Sequence, residues 1–323
     1  MKTAFVSHPD YLLHNTGIFH PERSARIKTI LSRITDDKMD TGSPLHHLIQ
    51  IKPDPADISW IKSVHDSSYV DAVPVWCKQN LHDLPTGDTT ICPASYHVAL
   101  LASGGGLSAV DAIMDGRVDN AFSCARPPGH HAESSRGMGF CIFNNIAIAA
   151  RYAQQRYQAE RIVIIDWDVH HGNGTQQIFE EDPSVFYISI HQSPHYPFTG
   201  MASERGEGEG EGYTLNIPVS SGAGNEIYID AFNSIVVPAV AKYKPDFIFL
   251  SAGFDAHRDD PLSETVVTEL AFNRMMEHIM ELADNLCESR LVSILEGGYD
   301  LEALAHCVSQ HLIMLTSGHR PGD

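Results

Sequence analysis

Basic residues are scarce in this chain: 22 lysines and arginines stand against 41 aspartates and glutamates, a net charge of −19. Gripping a nucleic-acid backbone takes an excess of cations, so nucleic acid is not an expected partner. The same acidity suits a cationic substrate such as a lysine-rich tail, although solubility alone also accounts for an acidic surface. Cysteine is sparse too. Cys77, Cys92, Cys124, Cys141, Cys287 and Cys307 are widely spaced and no two are separated by two residues, which argues against a disulfide framework and a cysteine-rich zinc module. No apolar run reaches the roughly 18–20 residues that a membrane-spanning helix needs. Met1 to His8 reads as a short strand, without the basic flank and long apolar stretch of a signal peptide. The expectation is a cytoplasmic protein with no membrane partner and buried, reduced thiols. A Pro/Ser-rich linker and a fixed-period repeat are also missing, so one domain over 1–323 is expected.

What is present is alternation. Short apolar runs at Ala4–Ser7, Ala121–Ala125, Arg161–Trp167, Val185–His191, Tyr213–Val219, Phe247–Ala252 and Leu291–Leu295 predict strands, several apolar at every position. Between them, Asn144 to Tyr157 sets Ile146, Ala149, Ala150, Ala153 and Tyr157 on one stripe. Thr268 reads as the N-cap of a helix burying Ala271, Met275, Ile279, Leu282 and Leu286. Strand–helix alternation predicts an α/β fold, a mostly parallel sheet with helices on both faces.

Two glycine-rich stretches are not phosphate cradles. Gly104 to Gly106 lies inside a helical segment and suits close packing. Gly206 to Gly212 alternates with Glu207, Glu209 and Glu211 and leads into a strand, whereas an anion cradle needs backbone amides at a helix start. A mobile loop near the rim of the site is the expectation for it, with attraction of cationic substrates as the alternative.

In a parallel sheet, ligands bind beyond the carboxyl ends of the strands, and the reactive side chains of this sequence fall there. Asp168 and His170 follow one strand at a spacing that puts both on one face of an extended chain. Asp255, after another strand, is the natural third ligand. Three ligands leave a position open for water, as catalytic zinc requires; iron, manganese and cobalt accept the same donors. His130 and His131 can divide the base and acid work of amide hydrolysis, oriented by Asp166 and Asn173. Tyr299, beside Gly297 and Gly298, supplies a phenol for the developing oxyanion.

The motifs RPPGHH (126–131), GFCIFNN (139–145), DWDVHHGNGTQ (166–176), SAGFDAH (251–257) and LEGGYD (295–300) resemble, in this order, the histone deacetylase family within the arginase–deacetylase superfamily. The likeness runs from His20-Pro21-Glu22-Arg23 to about Leu315, and the proline-containing RPPGHH and the Asn173 position resemble class II enzymes and their bacterial relatives more than class I. It implies a sheet of about eight strands and a zinc-dependent lysine deacetylase. Zn²⁺ would sit on Asp168, His170 and Asp255, with His130 and His131 as acid and base and Tyr299 as carbonyl polariser. It further implies an acyl-lysine channel lined by Gly139, Phe140, Tyr196, Leu262 and Gly298, with Asp88 holding the substrate backbone at the rim. A structural K⁺ is implied on Asp166, Ser189 and the carbonyls of Asp168, His170 and Ile190.

Two departures narrow this. Arginases hold two manganese ions using an acid two residues beyond the motif histidine; here Gly172 stands there, and His257 replaces another expected acid, so one metal is the reading. Polyamine-selective relatives place an acid at the channel mouth, where this chain has Leu262, which favours acyl-lysine in a peptide or protein over acetylpolyamine. A non-catalytic acyl-lysine binder would lack a catalytic group, and none is lacking. Oligomerisation is left open.

Overall fold

Eight short runs rich in apolar side chains form the strands: β1 Thr3–Val6, β2 Ile49–Ile51, β3 Asn120–Ser123, β4 Ile162–Asp166, β5 Val185–Gln192, β6 Thr214–Val219, β7 Phe247–Ala252 and β8 Leu291–Leu295. They pair in the order β2-β1-β3-β8-β7-β4-β5-β6, and every pairing is parallel. The computed structural model describes residues 1–79 and 81–318; the end of the single-domain expectation, 319–323, lies outside them.

The helices are α1 Ala25–Asp37, α2 Ile58–Ile61, α3 Ser67–Lys78, α4 Ser95–Met114 and α5 Asn145–Tyr157. They continue with α6 Asn173–Phe179, α7 Asn225–Ala231, α8 Val237–Tyr243, α9 Glu269–Leu286 and α10 Leu301–Ser317. Side chains alternate across a strand, and both faces of this sheet are covered. Phe5, Phe122, Val163, Ile165, Ile248 and Leu250 pack toward α1, α9 and α10. Ala4, Ala121, Ile162, Ile164, Phe249 and Val292 pack toward α3, α4 and α5. That double burial explains the apolar runs without alternation.

The structure adds and corrects. The strand β2 is absent from the sequence reading because it is a three-residue edge strand, mostly exposed, with too little burial to shape its composition. Among the described residues one helix, α4, is long and apolar enough by composition to span a membrane, contrary to the expectation that no such run exists. Its apolar window is 72% buried inside the protein, as a core helix must be. Gly104, Gly105 and Gly106 sit against the backbone of Asp54, the Tyr11 and Ser123 side chains and Ala149, so the packing explanation holds. Asn144 caps α5 by accepting from Ala147 N, whereas Thr268 starts α9 without a capping bond; its hydroxyl accepts from Asn225 Nδ2 at 2.8 Å instead.

The Gly206–Gly212 segment is not at the rim of the site. Glu207 N donates to Glu180 O at 2.6 Å, and Gly206 and Gly210 press against Glu180, at the far end of α6 from Asn173 and at the edge where β5 and β6 begin. A single 3₁₀ turn, Gly208–Gly210, forms inside it.

Candidate active site

The loops that carry the predicted metal-ligand and catalytic residues leave β3, β8, β7 and β4, four adjacent strands of the sheet. Parallel pairing puts all four carboxyl ends on one edge, which is why residues far apart in sequence meet. Asp168, His170 and Asp255 are buried there, with candidate ligand atoms all within 4.8 Å of one another. His170 Nδ1 lies 3.1 Å from Asp168 Oδ1 and 3.2 Å from Asp255 Oδ2. The route differs from the extended-chain expectation. The strand β4 stops at Asp166, and a bend over Asp168–His170, with His170 N donating to Asp168 Oδ1 at 2.9 Å, turns the two side chains together.

This cluster fits a divalent cation. Two buried carboxylates and an imidazole converge, while the remaining oxygens take backbone amides: Asp168 Oδ2 from Gly297 N at 2.8 Å and Asp255 Oδ1 from Val169 N at 2.9 Å. A Cβ at Gly253 or Gly297 would strike these carboxylates, so glycine makes the cradle. Burial and the Asp168 charge push Asp255 up. Burial opposes the charge of Asp168 too, but His130 and His170 outweigh it and hold that carboxyl far below its usual range. Two carboxylates buried this close together repel one another, and a metal ion relieves that repulsion. Among the described residues this is the one such cluster, and His257 stands apart from it, between Asp259 and Glu269.

The tandem histidines sit beside it with ring centroids 4.0 Å apart. His130 Nδ1 is 3.0 Å from Asp166 Oδ2, and His131 Nδ1 is 2.9 Å from Asn173 Oδ1. Burial disfavours charge on His130, but Asp166 and Asp168 raise it to about 10. His131 is driven the other way by burial and by the neighbouring His130 and His170. Gly172 is required here for a different reason from the metal count: a Cβ would collide with Asp166 Oδ2 and the Tyr187 hydroxyl and crowd His130.

A cavity of about 230 Å³ opens onto this cluster, lined by Asp88, His131, Gly139, Phe140, His170, His195, Tyr196, Leu262 and Tyr299. Phe140 meets the Tyr299 ring edge-on at 5.9 Å and Tyr196 meets His131 at 5.2 Å. Gly139 has φ +56° and faces the His131 ring, so no other residue fits that wall. Burial raises the Tyr299 phenol well above its ordinary value, against the pull of Arg26, and keeps it protonated. Asp88 is exposed at the rim, where its Oδ1 accepts from Gly139 N at 2.7 Å and Tyr196 OH at 3.4 Å. Gly298 is not among the lining residues; it lies behind Tyr299, its carbonyl accepting from Arg26 Nε at 2.7 Å.

Three residues escaped the sequence reading. His195 stacks on His170 at 4.9 Å and 21°, in a stretch that none of the five motifs covers. Glu296, inside the LEGGYD motif, accepts from Gly129 N at 2.6 Å and His130 N at 3.2 Å, seating the His-His turn. Burial pushes it up to about 7. Arg26, buried with its guanidinium 5.1 Å from the Tyr299 ring centroid, carried no local signal. Of the predicted monovalent-cation residues, Asp166 and Ser189 are register partners across β4 and β5, and Ser189 Oγ lies 2.8 Å from His191 Nδ1.

Residues 20–315 match the family model described as the histone deacetylase domain. The chain is 37% identical over 318 residues to a probable deacetylase of Archaeoglobus fulgidus, covering 98% of this chain and 87% of that protein. It is 36% identical over 323 aligned positions to the polyamine deacetylase HDAC10 of Homo sapiens, covering 95% of this chain and 47% of that one. A crystal structure of an HDA15 HD domain superposes with a TM-score of 0.91 at 38% identity, covering 98% of this chain and 88% of that one.

Proposed function

We propose that this chain, which belongs to the histone deacetylase family, hydrolyses the amide between an acetyl or related acyl group and the ε-amine of lysine in a peptide or protein. The observation that carries this reading is the single cavity in which His131, the ligand candidate His170 and the Tyr299 phenol share one lining beneath aromatic walls.

Zn²⁺ held by Asp168, His170 and Asp255 would supply Lewis-acid polarisation and a lowered pKa for water. The chain's own residues supply the rest. His131, neutral and in the cavity lining, takes a proton from the attacking water and returns it to the leaving amine. His130 is not in that lining; in this reading its charge, held by Asp166, supports the site electrostatically, so the acid/base work is not divided equally. Tyr299 donates to the acyl oxygen as charge develops there. Phe140 and Tyr196 enclose the apolar lysine stem and exclude water. Asp166 and Ser189, with the carbonyls of Asp168, His170 and Ile190, are the proposed seat of a structural K⁺, supported by the pairing of Asp166 with Ser189. A reducing, cytoplasmic setting belongs to the same proposal and is supported by six free cysteines.

A second reading is polyamine deacetylation, favoured by the similarity to a polyamine deacetylase. Leu262 in the cavity lining supports lysine instead, because it offers a distal ammonium no counter-charge. A non-catalytic acyl-lysine binder would not need His131 and Tyr299 in the same lining. Rates of zinc-loaded protein on acetyl-lysine peptides, acetylputrescine and acetylspermidine, with a hydroxamate control, test all three. Faster turnover of the polyamines reverses the choice, and inertness on every acyl amine removes the enzyme reading.

A further inference from the structure

The GG-Tyr turn that presents Tyr299 is flexible by composition: Gly297 and Gly298 precede it, and Gly298 has φ +120°. A phenol that must meet an acyl oxygen within a few tenths of an ångström cannot hang on a loose turn. Something has to hold the backbone, and the structure shows what does. Asp260, 6% exposed, accepts the Tyr299 N–H at 2.6 Å and the Asp300 N–H at 3.3 Å on Oδ2. Its other oxygen, Oδ1, accepts the Leu262 N–H at 2.9 Å. The Leu262 carbonyl in turn lies 2.9 Å from Nε2 of His195, whose ring stacks on His170.

One carboxylate therefore joins two walls of the cavity that come from different strands, the loop after β7 and the turn after β8. From the opposite side Arg26 holds the Gly298 carbonyl, so the peptide leading into Tyr299 is clamped at both ends. We infer that Asp260 is the positioning residue for the Tyr299 phenol, fixing it relative to Leu262 and the metal-ligand cluster. The inference rests on the deacetylase reading above. Asp260 does not line the cavity and acts only through Tyr299 and Leu262; a carboxylate that merely stabilised the loop would make the same bonds but would not depend on the phenol.

That dependence is measurable. Asp260→Ala, Asp260→Asn, Tyr299→Phe and the two double variants are compared for kcat and KM on an acetyl-lysine peptide, with zinc content and Tm recorded. Asp260→Ala is expected to lower kcat roughly a hundredfold, the order that an ångström of misplacement costs, with KM and zinc content within about twofold of wild type. Asp260→Asn keeps the shape and one carbonyl acceptor and should recover part of the loss. In the Tyr299→Phe background either change should cost no more than about twofold, because the group being positioned is gone. An equal fold-loss in both backgrounds, or undiminished kcat in Asp260→Ala, overturns the inference. If Asp260→Ala does not fold, the isosteric Asp260→Asn and its double variant decide by the same criterion. A wild-type protein inert on acyl-lysine would instead overturn the parent reading.

Discussion

Asn173 holds His131: its Oδ1 lies 2.9 Å from the ring Nδ1, and its amide orientation is set by Nδ2 donating to Glu133 Oε1 at 2.7 Å. The imidazole keeps its proton on Nδ1, which leaves Nε2 as the proton acceptor in the cavity lining. One residue earlier, His130 faces a carboxylate, Asp166, at 3.0 Å. The affinities of the adjacent histidines for protons are driven apart: burial and the charges of His130 and His170 lower His131, while His130, against its burial, is raised by Asp166 and Asp168.

Replacing Asn173 with Asp tests that division. A carboxylate facing His131 Nδ1 favours the imidazolium and raises the pKa of a group now held low by burial and by His130. A base works only unprotonated, so the acid limb of kcat/KM is expected to move to higher pH. The pH–rate profile reports it. An unmoved limb argues that His131 is not the base.

Metal removal should affect folding as well as turnover. Asp168 and Asp255 are buried with ligand atoms within 4.8 Å of each other and of His170, and a cation bound there stabilises the folded state by mass action, about 2.7 kcal/mol at a hundredfold excess over Kd. Chelation is expected to lower Tm and abolish turnover, with Zn²⁺ restoring both. Full activity after exhaustive chelation, verified by elemental analysis, would sink the metal assignment.

Acid sensitivity is built in away from the reacting groups. Glu22 Oε1 accepts from Arg126 Nε at 2.7 Å and Arg26 Nη1 at 3.3 Å, all three side chains being buried. Burial alone would raise Glu22, but Arg126, His14 and Arg26 outweigh it and bring the carboxyl from 4.5 to about 2. Because the folded value is the lower one, this stabilisation is present above pH 4.5 and is lost as pH falls toward 2. Burial also lowers His14 to about 3, His65 to about 4 and His311 to about 3 from 6.5, so the unfolded chain gains protons first below pH 6.5. Denaturant titrations from pH 7 downward should show stability falling below about 6.5 and more steeply below about 4.5. Glu22→Gln, which leaves two buried guanidinium groups without their anion, should cost about 3–5 kcal/mol at neutral pH. A variant as stable as wild type would contradict this account of the cluster.

Leu262→Glu addresses substrate choice. A carboxylate in the cavity lining attracts a distal ammonium, an interaction on the order of 1–2 kcal/mol in a partly hydrated site. The ratio of acetylpolyamine to acetyl-lysine kcat/KM is expected to rise roughly tenfold, which is 1.4 kcal/mol. An unchanged ratio means that Leu262 does not set specificity.

The parallel α/β sheet was legible because double burial writes itself into composition: β4, β7 and β8 are apolar at all but one position, β5 is apolar over its first half, and the sequence places all four within a residue or two. The edge strand β2 left no such trace. The site was legible where chemistry demands unusual residues at fixed spacing, as in Asp168, His170 and the His130–His131 pair. It was not legible where an ordinary residue serves by position. Asp260 and Arg26 are common charged residues that no motif covers, and Glu296 sits inside LEGGYD without any sign of its role, because the amides and carbonyls that they hold include ones from distant parts of the chain.

The sequence by itself determined the residue types, an acid–imidazole set able to hold a metal ion, a tandem histidine and a phenol at strand ends, because those chemistries have few substitutes. Tertiary structure decided how they meet. A bend after β4, not an extended chain, brings Asp168 and His170 together. The folded chain carries Gly206–Gly212 to the far end of α6, and a buried carboxylate ties Leu262 to Tyr299. The reason is one of range: side-chain chemistry is local and can be read along the chain, whereas hydrogen bonds between loops depend on which strands the sheet makes neighbours.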